Sequence, residues 1–517
     1  MHAVFDATHM KSSGFTRNAF GLAGYALTLV LAACTVGPAY QKPAAPAVSS
    51  YTAAPLVSTA PAAASAATVA NAQSLRLGAS VNPEWWKAFG SDSLDALVAR
   101  ALRHNPGLDA AEATLKEARY NSKAASGIFY PQVSLGLSGE RLRQSGANSG
   151  GLFTPPLFNL YTGDVSVSYY PDVFGLNRLV ARGAQAQVDI AADQLQAARL
   201  TLEGNVVNLV LNLAALDGEI AAEQNTIQEE SELLELTRKR YELGADSQLA
   251  VLTQSTQLES NRAALPQLQQ GRDQARHLLA VYLGEFPSRI HGLKTPQLVE
   301  LQLPRSLPLS LPSALVLQRP DIRAAEAQLR AANAVVGEQV ARMYPLLQLT
   351  ATDGGQSNAW GTLFDSASRI WSLGASLVLP LFEGGTLEAQ KNAAEQAYAG
   401  VFDNYRSAVL NAFSNVADVL RALQHDAETA NSEKRALEDA SRGFALVRSQ
   451  YQSGAVDYLS LLTSEVQYDT ARIAYIQAQT RQLVDTVALY VALGGGQDKP
   501  ADPPAKPRRH TPQENSK

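Results

Sequence analysis

Two stretches of this chain run without proline for far longer than an ordinary helix needs, 172–265 and 381–499. Inside the first, apolar residues keep a seven-residue beat. Leu195, Leu202, Leu209 and Leu216 form one row, and Leu213, Ile220, Ile227, Leu234 and Tyr241 form another. That is the a/d spacing of helices wound on one another. Leu410, Phe413, Ala417 and Leu420 keep a similar rhythm in the second stretch. A helix from about 176 to 242 would be about 100 Å long at 1.5 Å per residue. No compact domain buries such a rod, so it needs neighbours of equal length.

The chain is written twice. Tyr241-x-x-Gly244-Ala245 with Leu249-x-x-Leu252 recurs 210 residues later as Tyr451-x-x-Gly454-Ala455 with Leu459-x-x-Leu462. The same offset joins Val281-x-Leu283-Gly284 to Val491-x-Leu493-Gly494. Earlier, Asn105-Pro106, Ala110-Ala111-Glu112-Ala113, Leu115 and Tyr130-Pro131 recur at an offset of 214 as Arg319-Pro320, Ala324-Ala325-Glu326-Ala327, Leu329 and Tyr344-Pro345. Order and spacing both repeat, which points to two copies of one unit. Each copy reads as helix, two strands, long helix, return helix. Gly244 and Gly454 fall just past the long helices, where a left-handed residue ends a helix and turns the chain. Pro266 predicts a kink in the first return helix.

The short segments between helices alternate with period two. Val133, Leu135 and Leu137 share a face, as do Val165, Val167 and Tyr169 in a second segment. Leu347, Leu349 and Ala351 follow in a third, and Trp371, Leu373, Ala375, Leu377 and Leu379 in a fourth. Small polar residues fill the intervening positions. Each segment has the length of a tilted strand that crosses an outer membrane. A soluble two-faced sheet would alternate in the same way. Four strands close no useful pore, and strand edges open to hydrocarbon are not tolerated. Several chains must then contribute, and three copies give twelve strands. The Gly-, Ser- and Asn-bearing segments 139–162 and 354–369 suit outer loops.

The N-terminus fixes the compartment. Arg17 precedes an apolar stretch, Ala19 to Ala33, that is too short for a comfortable span and suits a signal peptide. It ends in Leu31-Ala32-Ala33-Cys34, which has the form of a bacterial lipobox, and Cys34 is the one cysteine of the chain. Thioether lipidation of its sulfur, cleavage before it and acylation of the new amine would anchor the chain to membrane lipid, at roughly 0.8 kcal/mol per buried methylene. Thr35 follows, not the Asp that signals inner-membrane retention. Met1 and Met10 both fit as the start, since Met10 to Cys34 alone reads as a complete signal. The net charge of −5 and the scattered Lys and Arg exclude a nucleic-acid surface. Seven scattered histidines show no metal spacing, and no nucleophile elbow or phosphate loop occurs, so neither an enzyme nor a cofactor is expected. Long helical hairpins on a lipidated chain also resemble a periplasmic adaptor lipoprotein of an efflux pump, which is the alternative reading. An adaptor predicts one helical hairpin, where this sequence predicts two.

With these residues in hand, the chain resembles the TolC-like outer-membrane efflux proteins, specifically the NodT-type lipoprotein branch, from Cys34 to about Gly496. Cys34-x-x-Gly37-Pro38-x-Tyr40-x-x-Pro43 resembles that branch's mature start, and Trp85-Trp86-x-x-Phe89 with Leu94 and Leu97 its opening helix. Leu311-Pro312-Ser313-x-Leu315 followed by Arg319-Pro320-Asp321-Ile322-x-x-Ala325-Glu326 is close to a family signature. Asp172-x-Phe174-Gly175, Pro380-x-Phe382-x-Gly384-Gly385 and Leu493-Gly494-Gly495-Gly496 match strand-to-helix joints and the end of the last helix.

The resemblance implies a homotrimeric channel-tunnel, mainly α with membrane β. It has a 12-stranded barrel, a periplasmic α-barrel of long coiled-coil hairpins and a mixed equatorial belt. It implies a periplasmic adaptor and an inner-membrane RND-type transporter as partners, and outer-membrane lipid around the barrel. The expected division is a signal peptide over 1–33, a lipid-anchored linker over 34–80, a first repeat over 81–283, an equatorial connector over 284–318, a second repeat over 319–496 and a disordered tail over 497–517. In the first repeat the strands fall near 131–141 and 161–171, the long helix near 175–243 and the return helix near 247–283. In the second they fall near 345–354 and 370–380, then 384–453 and 457–493. The family closes its periplasmic tip by coiling the inner helices inward, which places the gate at the two turns. Asp246 and Asp457 are the acidic candidates, with Tyr451, Tyr458 and Arg448 as hydrogen-bonding groups or plugs. Either Asp reads equally well as a cap on a return helix. Ser460 and Thr463 stand where some members carry acidic residues, which removes an acidic ring from those positions.

Overall fold

A computed structural model describes residues 36–59, 72–143, 157–289 and 292–496. Cys34, the expected signal peptide and the tail 497–517 lie outside the described residues. In chain order the elements are β1 (Ser74–Leu77), α1 (Asp92–His104), α2 (Pro106–Ser126), β2 (Gln132–Leu142), β3 (Phe158–Tyr169), α3 (Leu176–Glu242) and α4 (Gln248–Tyr282). They continue with β4 (Ser306–Leu309), α5 (Pro312–Gln318), α6 (Pro320–Ala341), β5 (Leu346–Ser357), β6 (Arg369–Val378), α7 (Thr386–Gln452) and α8 (Tyr458–Ala492). The two long helices, α3 and α7, have 67 residues each, and the two return helices, α4 and α8, have 35 each. The chain divides into two compact units, one of 1–42, 116–190 and 326–404, the other of 43–115, 191–325 and 405–517.

The first unit holds an antiparallel sheet in the order β2-β3-β5-β6. The register aligns Val133, Val167, Ala351 and Leu373 in one row across the strands, and Ser134, Ser166, Thr352 and Ser372 in the next. Because side chains alternate along each strand, the four apolar sets read from the sequence share one face. That face is uncovered over much of its area: Val133, Leu135, Trp371, Leu373 and Leu377 are exposed. β2 and β6 are the outer strands, each hydrogen-bonded on one side among the described residues. The helix that follows β3 starts on Asp172, whose carboxylate accepts the backbone N–H groups of Asn177 at 2.9 Å and Arg178 at 3.0 Å. Those are the donors a helix start leaves unpaired.

The second unit is built on Trp85, Phe89, Leu94, Leu279, Leu283, Leu307 and Leu315, all buried. Trp85 stacks on Tyr490 at 5.3 Å between ring centroids. β1 and β4 pair in parallel within it. One kind of joint is made twice here. Asn105 Nδ2 donates to the Tyr282 carbonyl near the end of α4 at 3.0 Å, and Arg319 Nη1 donates to the Ala492 carbonyl at the end of α8 at 2.9 Å. Both side chains satisfy carbonyls that a helix end leaves open. The Arg319-Pro320-Asp321-Ile322 motif therefore has a structural task.

α4 runs from Gln248 to Tyr282 with Pro266 inside it, since a missing N–H removes one rung without stopping the flanking turns. One expectation changes. In α7 the buried row is Val409, Ala412, Val416, Leu420, Leu423 and Ala427, while Leu410 is exposed within the chain. The buried stripe follows the 3.6-residue period and starts one position before the expected row. α3 holds one 18-residue window of mean hydropathy 1.2, half of it buried inside the chain. Val206, Val207, Val210, Leu211 and Leu213, all buried, account for its apolar character.

Candidate functional site at the helix turns

Both long helices end in the same geometry. Gly244 has φ 75° and Gly454 φ 78°. The Ala245 N–H donates to the Arg240 carbonyl and the Gly244 N–H to that of Tyr241, and Ala455 and Gly454 repeat this with Gln450 and Tyr451. This paired i−5 and i−3 pattern is a left-handed C-terminal cap, which glycine forms without steric cost.

The two turns differ just past the glycine. Asp457 caps α8: its carboxylate accepts the Ser460 backbone N–H at 3.0 Å and the Ser460 hydroxyl at 2.6 Å. The Ser460 hydroxyl and backbone bonds hold the Asp457 carboxyl below the usual carboxylate range. At the other turn the cap is Ser247, whose hydroxyl accepts the Ala250 N–H at 3.2 Å. Ser247, not Asp246, lies 210 positions before Asp457. Asp246 is therefore released for another task. Its Oδ2 accepts the Tyr451 hydroxyl at 2.6 Å and Arg240 Nε at 2.8 Å. Arg240 also donates to the Tyr451 carbonyl at 2.9 Å, and its guanidinium carbon sits 4.5 Å from the Tyr451 ring centroid. One carboxylate thus ties the α3–α4 hairpin to the end of α7. Tyr451 is fully buried, packed with Leu233, Phe444 and Leu461. Burial first, then the bond to Asp246, pushes its phenol up to about 12, so it stays a donor at any physiological pH. The Asp246 bond first holds Arg240 above its ordinary value.

The remaining candidates divide. Tyr458 donates to Gln254 Oε1 at 2.8 Å and joins the hairpins from α8 to α4. Arg448 lies 3.6 Å from Glu232 in an exposed ion pair. Thr463 donates its hydroxyl to the Leu459 carbonyl one turn back, at 2.8 Å.

Sequence reasoning missed two features. Arg240 is one, since its counterpart 210 positions on is Gln450 and the repeat pattern hides it. The other is a buried acidic layer above the tip. Glu230 and Glu465 are both buried, and Oε2 of each lacks a hydrogen-bond partner among the described residues. Asn261 donates to Glu230 at 2.8 Å, and Thr226 to Asp469 at 2.8 Å. Arg472 reaches the Ala222 carbonyl at 2.6 Å and the Thr226 hydroxyl. Burial first, then neighbouring carboxylates led by Glu230, pushes Glu465 up to about 8, and burial pushes Glu230 up to about 7. The Leu195 row read from the sequence, continued by heptads, arrives at Glu223, Glu230 and Thr237.

The outer membrane efflux protein model matches this chain over residues 97–285 and 311–495. The chain belongs to the outer membrane efflux protein family. Its relatives include the pyoverdine export outer membrane protein OpmQ of Pseudomonas aeruginosa, 31% identical over 417 residues, covering 80% of this chain and 87% of OpmQ. Outer membrane protein OprJ of the same organism is 28% identical over 486 residues, 93% of this chain and 97% of OprJ. Among solved structures, the outer-membrane channel OprN superposes with a TM-score of 0.79 at 26% identity, over 90% of this chain and 99% of that one. As a member of this family, the chain is an outer-membrane channel component of an efflux system. The adaptor alternative falls, because the matching relatives are outer-membrane proteins and channels.

Proposed function

We propose that three copies of this chain close a 12-stranded barrel and form the passive exit duct of a tripartite pump. The duct is fed by a periplasmic adaptor and an inner-membrane RND-type transporter and carries small toxic molecules outward. The observation that carries this reading is the sheet: four strands with one broadly exposed apolar face and two outer strands open for pairing. In hydrocarbon such edges are satisfied only by closure, and closure needs further copies. The duct performs no chemistry of its own. Lipidation at Cys34 holds the N-terminus at the membrane. The tip is the gate. Asp246, Tyr451 and Arg240 latch one hairpin to the other, Tyr458 and Gln254 add a second tie, and Asp457 preforms the α8 turn. Arg448 contributes an exposed pair that solvent screens.

Reconstitution in planar bilayers with outer-membrane fractionation tests the reading. The expected result is a heat-modifiable three-chain species in the outer membrane that conducts ions. A purified, lipidated protein that stays a water-soluble monomer with no β signal by circular dichroism overturns it.

A further inference from the structure

The outer rim of the sheet carries a built feature that conduction does not require. Segment 358–368, between β5 and β6, folds back against the apolar face of the strands. Leu363 is fully buried although it lies in this connection. A β-carbon at Gly355 would run into the Leu363 carbonyl, and one at Gly163 would sit 3.4 Å from the Leu363 side chain. Gly163 and Gly355 are register partners, so a two-glycine notch seats the loop. The seated loop leaves Trp360 57% and Phe364 80% exposed, with Trp360 edge-on to Tyr161 at 5.8 Å.

Beside Phe364 lies a cavity of about 470 Å³, lined by Leu135, Leu137, Val165 and Leu363, with Asp164, Asp353 and Asp365 also on its wall. That falls within the ~300–1,000 Å³ of ligand pockets. At its mouth Arg369 pairs with Asp353 at 3.1 Å. Arg141, exposed, lies by alternation on the same face of β2 as Leu137, and the exposed Arg143 follows it. The rim thus sets aromatic rings and cations directly above an apolar band. It lies at the strand ends remote from the long helices, which the barrel reading places on the outer-leaflet side.

We propose that this rim is a docking site for a polyacylated, multiply phosphorylated glycolipid of the outer leaflet. One acyl chain fills the cavity, Phe364 and Trp360 sit at headgroup level, and Arg141 and Arg143 face the phosphates, while Arg369 stays paired with Asp353 at the cavity mouth. Aromatic residues favour that interface, and clustered cations bind anionic headgroups. The cavity opens onto the same face as the lipid-facing band, so its occupant shares that band's apolar surroundings. The inference rests on the proposed barrel.

The test uses the full-length lipidated protein in phosphatidylcholine nanodiscs doped with bisphosphorylated lipid A or, in a second arm, with phosphatidylglycerol. Native mass spectrometry counts retained lipid, and bilayer conductance reports insertion. The expected result is lipid A retained in preference to both phospholipids, with R141A/R143A weakening retention by about tenfold or more while conduction persists. F364A weakens it without altering charge. Wild-type protein that conducts yet holds lipid A no better than phosphatidylglycerol overturns the docking site and leaves the duct intact. Retention unchanged in R141A/R143A and F364A also overturns it. Protein that fails to insert overturns both readings.

Discussion

Tyr451→Phe removes one hydroxyl from the tip and little else. The ring keeps its packing on Leu233, Phe444 and Leu461 and its place under the Arg240 guanidinium. What it loses is the 2.6 Å bond to Asp246, which is half-buried and charge-assisted, and a weaker 3.3 Å bond with the Thr237 hydroxyl. Hydrogen bonds to charged groups contribute about 1.5–3 kcal/mol, so a loss near 2 kcal/mol is expected. If the bond exists only while the hairpins are latched, that loss moves the closed-to-open ratio roughly thirtyfold, at about 1.4 kcal/mol per tenfold. Asp246→Asn keeps the shape and removes the charge, which also weakens the 2.8 Å pair with Arg240. Single-channel recording of Y451F, D246N and the double variant reads the effect as open probability. Both single variants raise it, and the double variant raises it by less than their product, because both remove one shared bond. Open probability within twofold of wild type in both single variants refutes the latch, and strictly multiplicative effects refute the shared bond.

The acidic layer predicts a pH dependence. Glu465 and Glu230 hold protons in the folded state up to about 8 and about 7, whereas unfolded carboxyls release theirs near 4.5. The folded form therefore binds more protons across that window, and stability falls as pH rises through it, by about 1.4 kcal/mol per pH unit for each such group. Thermal unfolding followed by the helix signal is expected to shift downward from pH 5 to pH 8, and Glu465→Gln to flatten the shift; an equal slope in the variant contradicts the assignment. Asp457→Ala is expected to raise hydrogen exchange in the first turn of α8 while leaving open probability unchanged, since its bonds stay within one turn; altered gating would restore it as a latch. Trp85→Ala, which opens a hole beside Tyr490 in the core of its unit, is expected to cost about 3–5 kcal/mol and to lower the melting temperature by roughly 10 °C.

The parts of this fold that were legible in the sequence are those governed by period. Period two gave the strands their shared face, and the seven-residue beat with two proline-free stretches gave the paired long and return helices. The ends of those helices were legible through Gly244 and Gly454, because the left-handed cap has a residue preference of its own. The proposed gate was legible only in outline. Repeat logic drew Asp246 and Asp457 together as two acidic turn residues, yet they occupy unequal positions, and Ser247 is the counterpart of Asp457. Arg240 had no signal in the repeat, because its counterpart is Gln450, and its bond to the Tyr451 carbonyl spans 211 residues of chain. Glu230 sits in the run Glu229-Glu230-Ser231-Glu232, which reads as a solvated face. Only the heptad count from Leu195 places it inward, and that row changes from leucine to carboxylate along one helix. The loop seat at Gly163 and Gly355 depends on register between strands, which alternation does not specify.

Closure by three chains is tested most directly at the two open strands. Cysteine at Ser134 on β2, combined in turn with cysteine at Ser372, Gly374 or Ser376 on β6, places a thiol on each edge of the sheet. Oxidation in native membranes, read on a denaturing gel, is expected to give one-, two- and three-chain bands for at least one pair and nothing larger, because a ring of three has no free edge. No cross-linked band from any pair, or a ladder that continues past three chains, contradicts the account.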